Sequence, residues 1–195
     1  MNTNFINYDE SVSSASVLSL LISSYKLSII SDNDHLPNIE LFKNPEGRVS
    51  EQTLIDIWSY LESKSKVACY ALLLGKHVDP TSKGVLMSLV TQCHTVKDGI
   101  DTFIENIDWM GPSESWRSEK NDSFTDLYYT IDYSKGYPVS ATIKSMTALV
   151  SWAREFSPQK IDIVSACFEF EKPASHTLFP SIFGKNITFS SEYNM

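Results

Sequence analysis

The chain has 195 residues, and 24 acids against 16 bases give a formal net charge of −8. At 42% hydrophobic and 21% charged, the composition is that of a globular domain with a real core rather than of a disordered or fibrous chain. A sequence pI near 4.9 sets the chain against direct contact with phosphate backbones, and no apolar run approaches the roughly 18 residues of a membrane span.

In chain order, residues 1–12 are polar and are expected to be a flexible N-terminal segment ahead of one domain over 13–195. From Ser13, the spacing of Val17, Leu18, Leu21, Ile22 and Tyr25 predicts a helix to about Lys26. His35-Leu36-Pro37-Asn38 breaks further helix, 39–47 reads as a connection, and Asn44-Pro45-Glu46-Gly47 as a turn. Ser50 is a good N-cap for a helix striped by Leu54, Ile55, Trp58 and Leu61. The next helix carries Val67, Tyr70, Ala71 and Leu74, with Gly75 placed to cap its C-terminus. Residues 84–90 suit a short buried helix. Thr95 with Asp98 resembles a capping box for a helix turning Val96, Ile100, Phe103, Ile104 and Ile107 inward, stopped at Gly111-Pro112.

Past Gly111 the period changes. Residues 114–120 and 123–132 read as an antiparallel hairpin joined at Asn121-Asp122, with Leu127, Tyr129 and Ile131 on its apolar face. Pro138 suits the first turn of a long helix lined by Val139, Ile143, Met146, Leu149, Val150 and Ala153. A strand over 161–170, a short helix over 176–183 and a last strand over 187–189 complete the chain. The fold class expected is α+β: several packed N-terminal helices, then a small, largely antiparallel sheet with a long helix packed on it.

Catalytic constellations do not emerge. Adjacent residues on a helix point about 100° apart, so Cys93-His94 reads as a small buried thiol beside a polar-edge imidazole rather than as a metal site. His77 reads as a complement to a helix C-terminus. Single, scattered glycines form no phosphate loop, and no Ser sits in a nucleophile elbow. Cys69 and Cys167 lie among apolar neighbours that would quieten a thiol, and three sparse cysteines make no disulfide framework. Asp98, Asp101 and Glu105 read as a solvated helix face. The expectation is no enzyme, no metal and no cofactor. With no signal-peptide pattern at Met1-Asn2-Thr3-Asn4, the default address is cytoplasmic.

The aromatics carry more information. Trp58, Tyr70, Phe103, Trp109, Tyr128, Tyr129, Trp152 and Phe168 spread over nearly every predicted element. Most belong in a core, but such side chains also line apolar pockets with a few polar tips.

Particular residues, in order, resemble a known family. Arg48-Val49-Ser50 opens one helix and Ala71-Leu72-Leu73-Leu74-Gly75-Lys76 ends the next; Asp79-Pro80 runs to Gly84; Thr95-Val96-Lys97-Asp98-Gly99-Ile100 follows; and Phe183-Gly184-Lys185-Asn186-Ile187-Thr188-Phe189 lies near the C-terminus. Together they resemble the N-terminal, arabinose-binding-type regulatory domain of AraC-family transcriptional regulators, over about residues 13–194. The resemblance implies a small organic effector, a homodimer contact, and a signal passed to DNA through a C-terminal helix-turn-helix domain expected to be absent from this chain. The effector is expected between the hairpin and the packed helices, with Tyr70, Trp109, Tyr129 and Trp152 as walls, because these aromatics come from elements flanking that junction. The dimer contact would use the exposed side of the helix over 138–156 or of that over 96–107. The alternative is a stand-alone ligand-binding or protein-interaction module with no DNA role, and an undetected enzyme ranks third.

Overall fold

A computed structural model describes residues 10–31, 34, 47–67, 69–77 and 84–195. The expected loose segment over residues 1–9, the break at His35–Asn38, most of the 39–47 connection and Asp79-Pro80 lie outside the described residues. The N-terminal half holds β1 (Ser11–Ser13), α1 (Ser14–Lys26), β2 (Arg48–Ser50), α2 (Glu51–Lys64), α3 (Tyr70–Lys76), α4 (Gly84–Thr91) and α5 (Val96–Asn106). The C-terminal half holds β3 (Glu114–Lys120), β4 (Thr125–Ile131), α6 (Val139–Phe156), β5 (Ala166–Phe168), α7 (Pro180–Phe183) and β6 (Ile187–Phe189). The class is α+β, as expected.

Strand β1 begins inside the stretch expected to be loose. Ser11, Val12 and Ser13 pair antiparallel with Ser50, Val49 and Arg48. The Arg48 guanidinium donates to the Ser11 hydroxyl and carbonyl and to the Trp109 carbonyl, pinning this ribbon to the turn after α5. Val12 is buried, and its Cγ1 would lie 2.9 Å from a Cβ at Gly111, so the glycine there is a close approach of two backbones.

Helix starts follow their caps. The Ser50 hydroxyl accepts from the Thr53 amide, the Thr95 hydroxyl from the Asp98 amide, and the Ser13 hydroxyl from the Ala15 amide. In α1 the buried surface differs from the predicted stripe. Val17, Leu20 and Leu21 are buried together with Ser14, Ser19, Ser23 and Ser24, while Leu18, Ile22 and Tyr25 are only partly covered. Small serines admit close neighbours: Ser24 donates to the Leu20 carbonyl one turn back and Ser23 to the His77 carbonyl at the end of α3, whereas the Ser14 and Ser19 hydroxyls have no partner among the described residues.

Gly75 is not a cap. It lies inside α3, and a Cβ there would sit 2.5 Å from Thr147 Cβ and 2.7 Å from the Lys144 carbonyl oxygen. The missing side chain is what lets α3 press against α6. Opposite, α6 packs on the β3–β4 hairpin, whose register runs from Glu114↔Ile131 to Lys120↔Thr125. Tyr129 and Trp116 face each other across the hairpin with ring centroids 4.7 Å apart, and Tyr129 is fully buried.

Two of the three small ladders are antiparallel; β5 and β6 pair in parallel. The strand expected over 161–170 contracts to Ala166–Phe168, since three-residue β6 is its ladder partner. The helix expected over 176–183 divides into a 3₁₀ turn at His176–Leu178 and α7. Phe168, Phe179, Phe183 and Phe189 cluster there, their centroids within 6 Å of Phe168. Cys69 is not in the apolar setting expected of it: it adopts a left-handed φ of 53°, and its Sγ lies 2.7 Å from Ser175 Oγ.

Candidate functional site

A cavity of about 80 Å³ lies where the hairpin meets the helices. Helix α1 brings Ser19 and Leu20 to it, α2 Leu54 and Trp58, α5 Phe103, β3 Glu114 and Trp116, and α6 Lys144, Ser145, Ala148 and Trp152. The walls are mostly apolar and aromatic with a few polar groups, the chemistry of a small-molecule site.

Two of those polar groups are charged. Glu114 accepts from the Ser145 hydroxyl at 3.2 Å. Burial pushes its carboxyl up, against the opposing pull of the Lys144 charge. Burial pushes the Lys144 ammonium down, with the Glu114 charge as the opposing influence. Among the described residues no ion pair joins the two, so each charge sits in a low-dielectric cavity with its partner out of contact. Glu51, nearby, shows the contrasting case. Burial alone would raise its carboxyl, but Lys135 at 2.7 Å and Tyr137 at 2.9 Å donate to it and hold it below the usual carboxylate range. Glu51 is a satisfied structural ion pair, whereas Glu114 and Lys144 are left facing the cavity space.

Neutral groups add to this. Trp116 Nε1 and Ser19 Oγ belong to buried residues that line the cavity, and neither atom has a hydrogen-bond partner. Unmet donors deep in a fold are costly unless something else meets them.

Of the four residues expected as walls, Trp152 alone lines this cavity. Tyr129 stands behind Trp116 in the core, and its hydroxyl is pushed well up by burial and by the Glu114 charge. Tyr70 lies in the seam between α2, α3 and α6; burial raises its hydroxyl, which donates to Glu62 at 3.4 Å. Trp109 is about half exposed, at 49%, in the 3₁₀ turn Ile107–Trp109, because its carbonyl rather than its ring is held by Arg48. Position between flanking elements points to this junction, but it does not say which way a ring turns.

Glu114 and Lys144 escaped the sequence reading. A signal was present: along the largely apolar α6, Lys144 is the only charged residue before the last turn, and it shares a helical face with Ala148 and Trp152. An isolated lysine on a buried face is unusual enough to mark.

A second, more open pocket of about 580 Å³ adjoins the first. Phe103, Leu149 and Trp152 line both, and the edge-to-face pair of Phe103 and Trp152, at 6.2 Å, stands between them. Cys93 and His94 line the outer pocket. Among the described residues no cluster of three or more His, Cys, Asp or Glu gathers for a metal, and no helix is long and apolar enough to cross a membrane.

Comparison with known families finds that the model of the N-terminal arabinose-binding domain of AraC transcription regulators matches residues 38–195. No curated protein matches the chain.

Proposed function

The chain belongs to the family of N-terminal arabinose-binding domains of AraC transcription regulators, and from that premise we propose that it senses a small organic effector held in the cavity between α6 and β3. The carrying observation is that cavity itself, where aromatic walls surround two charged groups that form no ion pair with each other. Occupancy acts through a difference in affinity between two shapes of the protein, and a tenfold preference is worth about 1.4 kcal/mol. The elements around the cavity suit that task. Helix α6 touches the guest through Lys144, Ala148 and Trp152 and meets α3 on its other side, so a change in the cavity is felt across the domain.

Downstream, the signal passes to a DNA-binding helix-turn-helix domain, and the acidic balance of this chain favours leaving operator phosphates to that domain. Self-association into a homodimer is carried by the side of α5 and its neighbour α4. Lys97, Asp98 and Glu105 are exposed on α5, and Val85 and Leu89 on α4, whereas α6 is covered by α3, the hairpin and α7. Sedimentation of a Val85→Glu/Leu89→Glu variant tests this: monomer is expected, and an undisturbed dimer refutes that surface.

The sensing role is tested by equilibrium dialysis against a metabolite extract with mass spectrometry. The protein is expected to enrich one small molecule or a few related ones, and Ala148→Leu, which fills the cavity, to enrich none. Enrichment of nothing by the parent, or equal enrichment by the filled variant, refutes the reading.

A further inference from the structure

The cavity's chemistry narrows what can occupy it. Lys144 and Glu114 line the same small space, carry opposite charges and, among the described residues, form no ion pair with each other. A guest of one charge would relieve one of them and leave the other buried without compensation, at a cost of several kcal/mol by general experience with broken buried pairs. A neutral polyol can hydrogen-bond to both groups but brings no charge to offset either. A guest bearing both signs relieves both. By type, Trp116 Nε1 can only donate and so, like Lys144, suits a carboxylate; the Glu114 carboxylate only accepts, and the Ser19 hydroxyl can do either.

Size sets a second limit. At about 80 Å³ the space is roughly half of a cavity that holds the six heavy atoms of benzene, so a guest the size of glycine is near its limit, and a larger one needs the Phe103–Trp152 pair to move toward the outer pocket. Leu54, Trp58 and Ala148 supply the apolar wall.

We propose that the central cavity takes a small zwitterion of the amino-acid type, its carboxylate met by Lys144 and Trp116 and its ammonium by Glu114. This assignment rests on the sensing role of the same cavity and states the class of molecule sensed. The two charges hold the guest by its ends, and the short apolar wall between them sets the size of side chain admitted. Because each charge is under-solvated before binding, the guest gains more from each contact than it would at a surface.

The experiment is calorimetric titration of the full chain with glycine, L-alanine, L-serine and β-alanine, beside propionate, ethylamine and L-arabinose. At least one of the four zwitterions is expected to bind more tightly than propionate and ethylamine by about tenfold or more. Lys144→Met and Glu114→Gln are each expected to weaken that zwitterion by a similar factor, with melting and circular dichroism showing a folded chain. If a single variant fails to fold, the doubly neutral Glu114→Gln/Lys144→Met protein, which leaves no lone buried charge, carries the test. Three results overturn the assignment: propionate or L-arabinose binding as tightly as the best zwitterion, unchanged zwitterion binding in the neutral variants, or no binding by any of the four. None of these touches the dialysis result, so the ligand class can fail while the sensing role stands; failure of the dialysis removes both.

Discussion

Replacing Gly75 by alanine puts one methyl group where α3 meets α6. Its Cβ would lie 2.5 Å from Thr147 Cβ and 2.7 Å from the Lys144 carbonyl oxygen, short of ordinary contact by roughly 1 Å. One of these neighbours is backbone, so no rotamer change clears it, and the helices must part. Over-packing of this kind costs about 1–3 kcal/mol. Because a backbone atom stands in the way, the cost lies in the upper part of that range, about 2–3 kcal/mol; alanine's better helix propensity returns about 1 kcal/mol of it, leaving a net loss of about 1–2 kcal/mol. For a chain of this size that lowers the melting temperature by about 2–8 °C. Thermal and urea unfolding followed by far-UV circular dichroism measure it. Because the displaced atom belongs to Lys144, the variant should also bind its guest more weakly. A variant that melts at or above the parent would show that Gly75 is an open helical position and that the α3–α6 contact is not close.

The unliganded doubly neutral variant Glu114→Gln/Lys144→Met should be as stable as the parent or more so, by up to about 4 kcal/mol in urea unfolding, since it removes two poorly compensated buried charges. Burial raises the Glu114 carboxyl in the folded state, so the folded chain takes up this proton first as pH falls. Relative to Glu114→Gln, the parent should therefore gain stability as pH drops from neutral toward the ordinary 4.5 of a glutamate and change no further below it. The opposite slope would mean that the carboxylate is well paired. Tyr129→Phe should lie within about 1 kcal/mol of the parent, because its buried hydroxyl, near Glu114 and Ser145, makes no hydrogen bond of normal geometry, whereas Tyr129→Ala should cost about 3–5 kcal/mol by emptying the core behind Trp116. Trp109→Ala should change stability by no more than about 0.5 kcal/mol and leave guest binding intact, since the half-exposed ring is neither in the cavity nor held by Arg48; a large loss of affinity would restore Trp109 to the site.

Local chemistry made the elements legible. Ser50 and Thr95 cap the helices predicted for them, and the hairpin forms, although it turns over the four residues 121–124 rather than at Asn121-Asp122 alone. Long-range packing was not legible in the same way. Gly75 looks like a terminator because a glycine after leucines commonly ends a helix, yet here another helix approaches from 72 residues along the chain, a partner no local window contains. The serines of α1 count as polar in a periodicity reading but serve as small core residues, Ser23 and Ser24 donating to backbone carbonyls. A cavity does lie at the junction to which the aromatic distribution points, and Trp152 lines it. Tyr70, Trp109 and Tyr129 lie off that cavity, because an aromatic ring on a flanking element can still turn into the core, into a seam or into solvent. The charged pair was passed over because neither residue has a motif; only an unaccompanied lysine on an apolar helix face betrays it.

The most direct measurement is a crystal structure of the full chain grown with a saturating zwitterion from the titration panel. The account predicts density for the guest in the cavity between β3 and α6, one end within hydrogen-bonding distance of Lys144 Nζ and the other of the Glu114 carboxylate. A guest lodged in the outer pocket beside Cys93 and His94, or a central cavity unchanged beside an occupied site elsewhere, would contradict it.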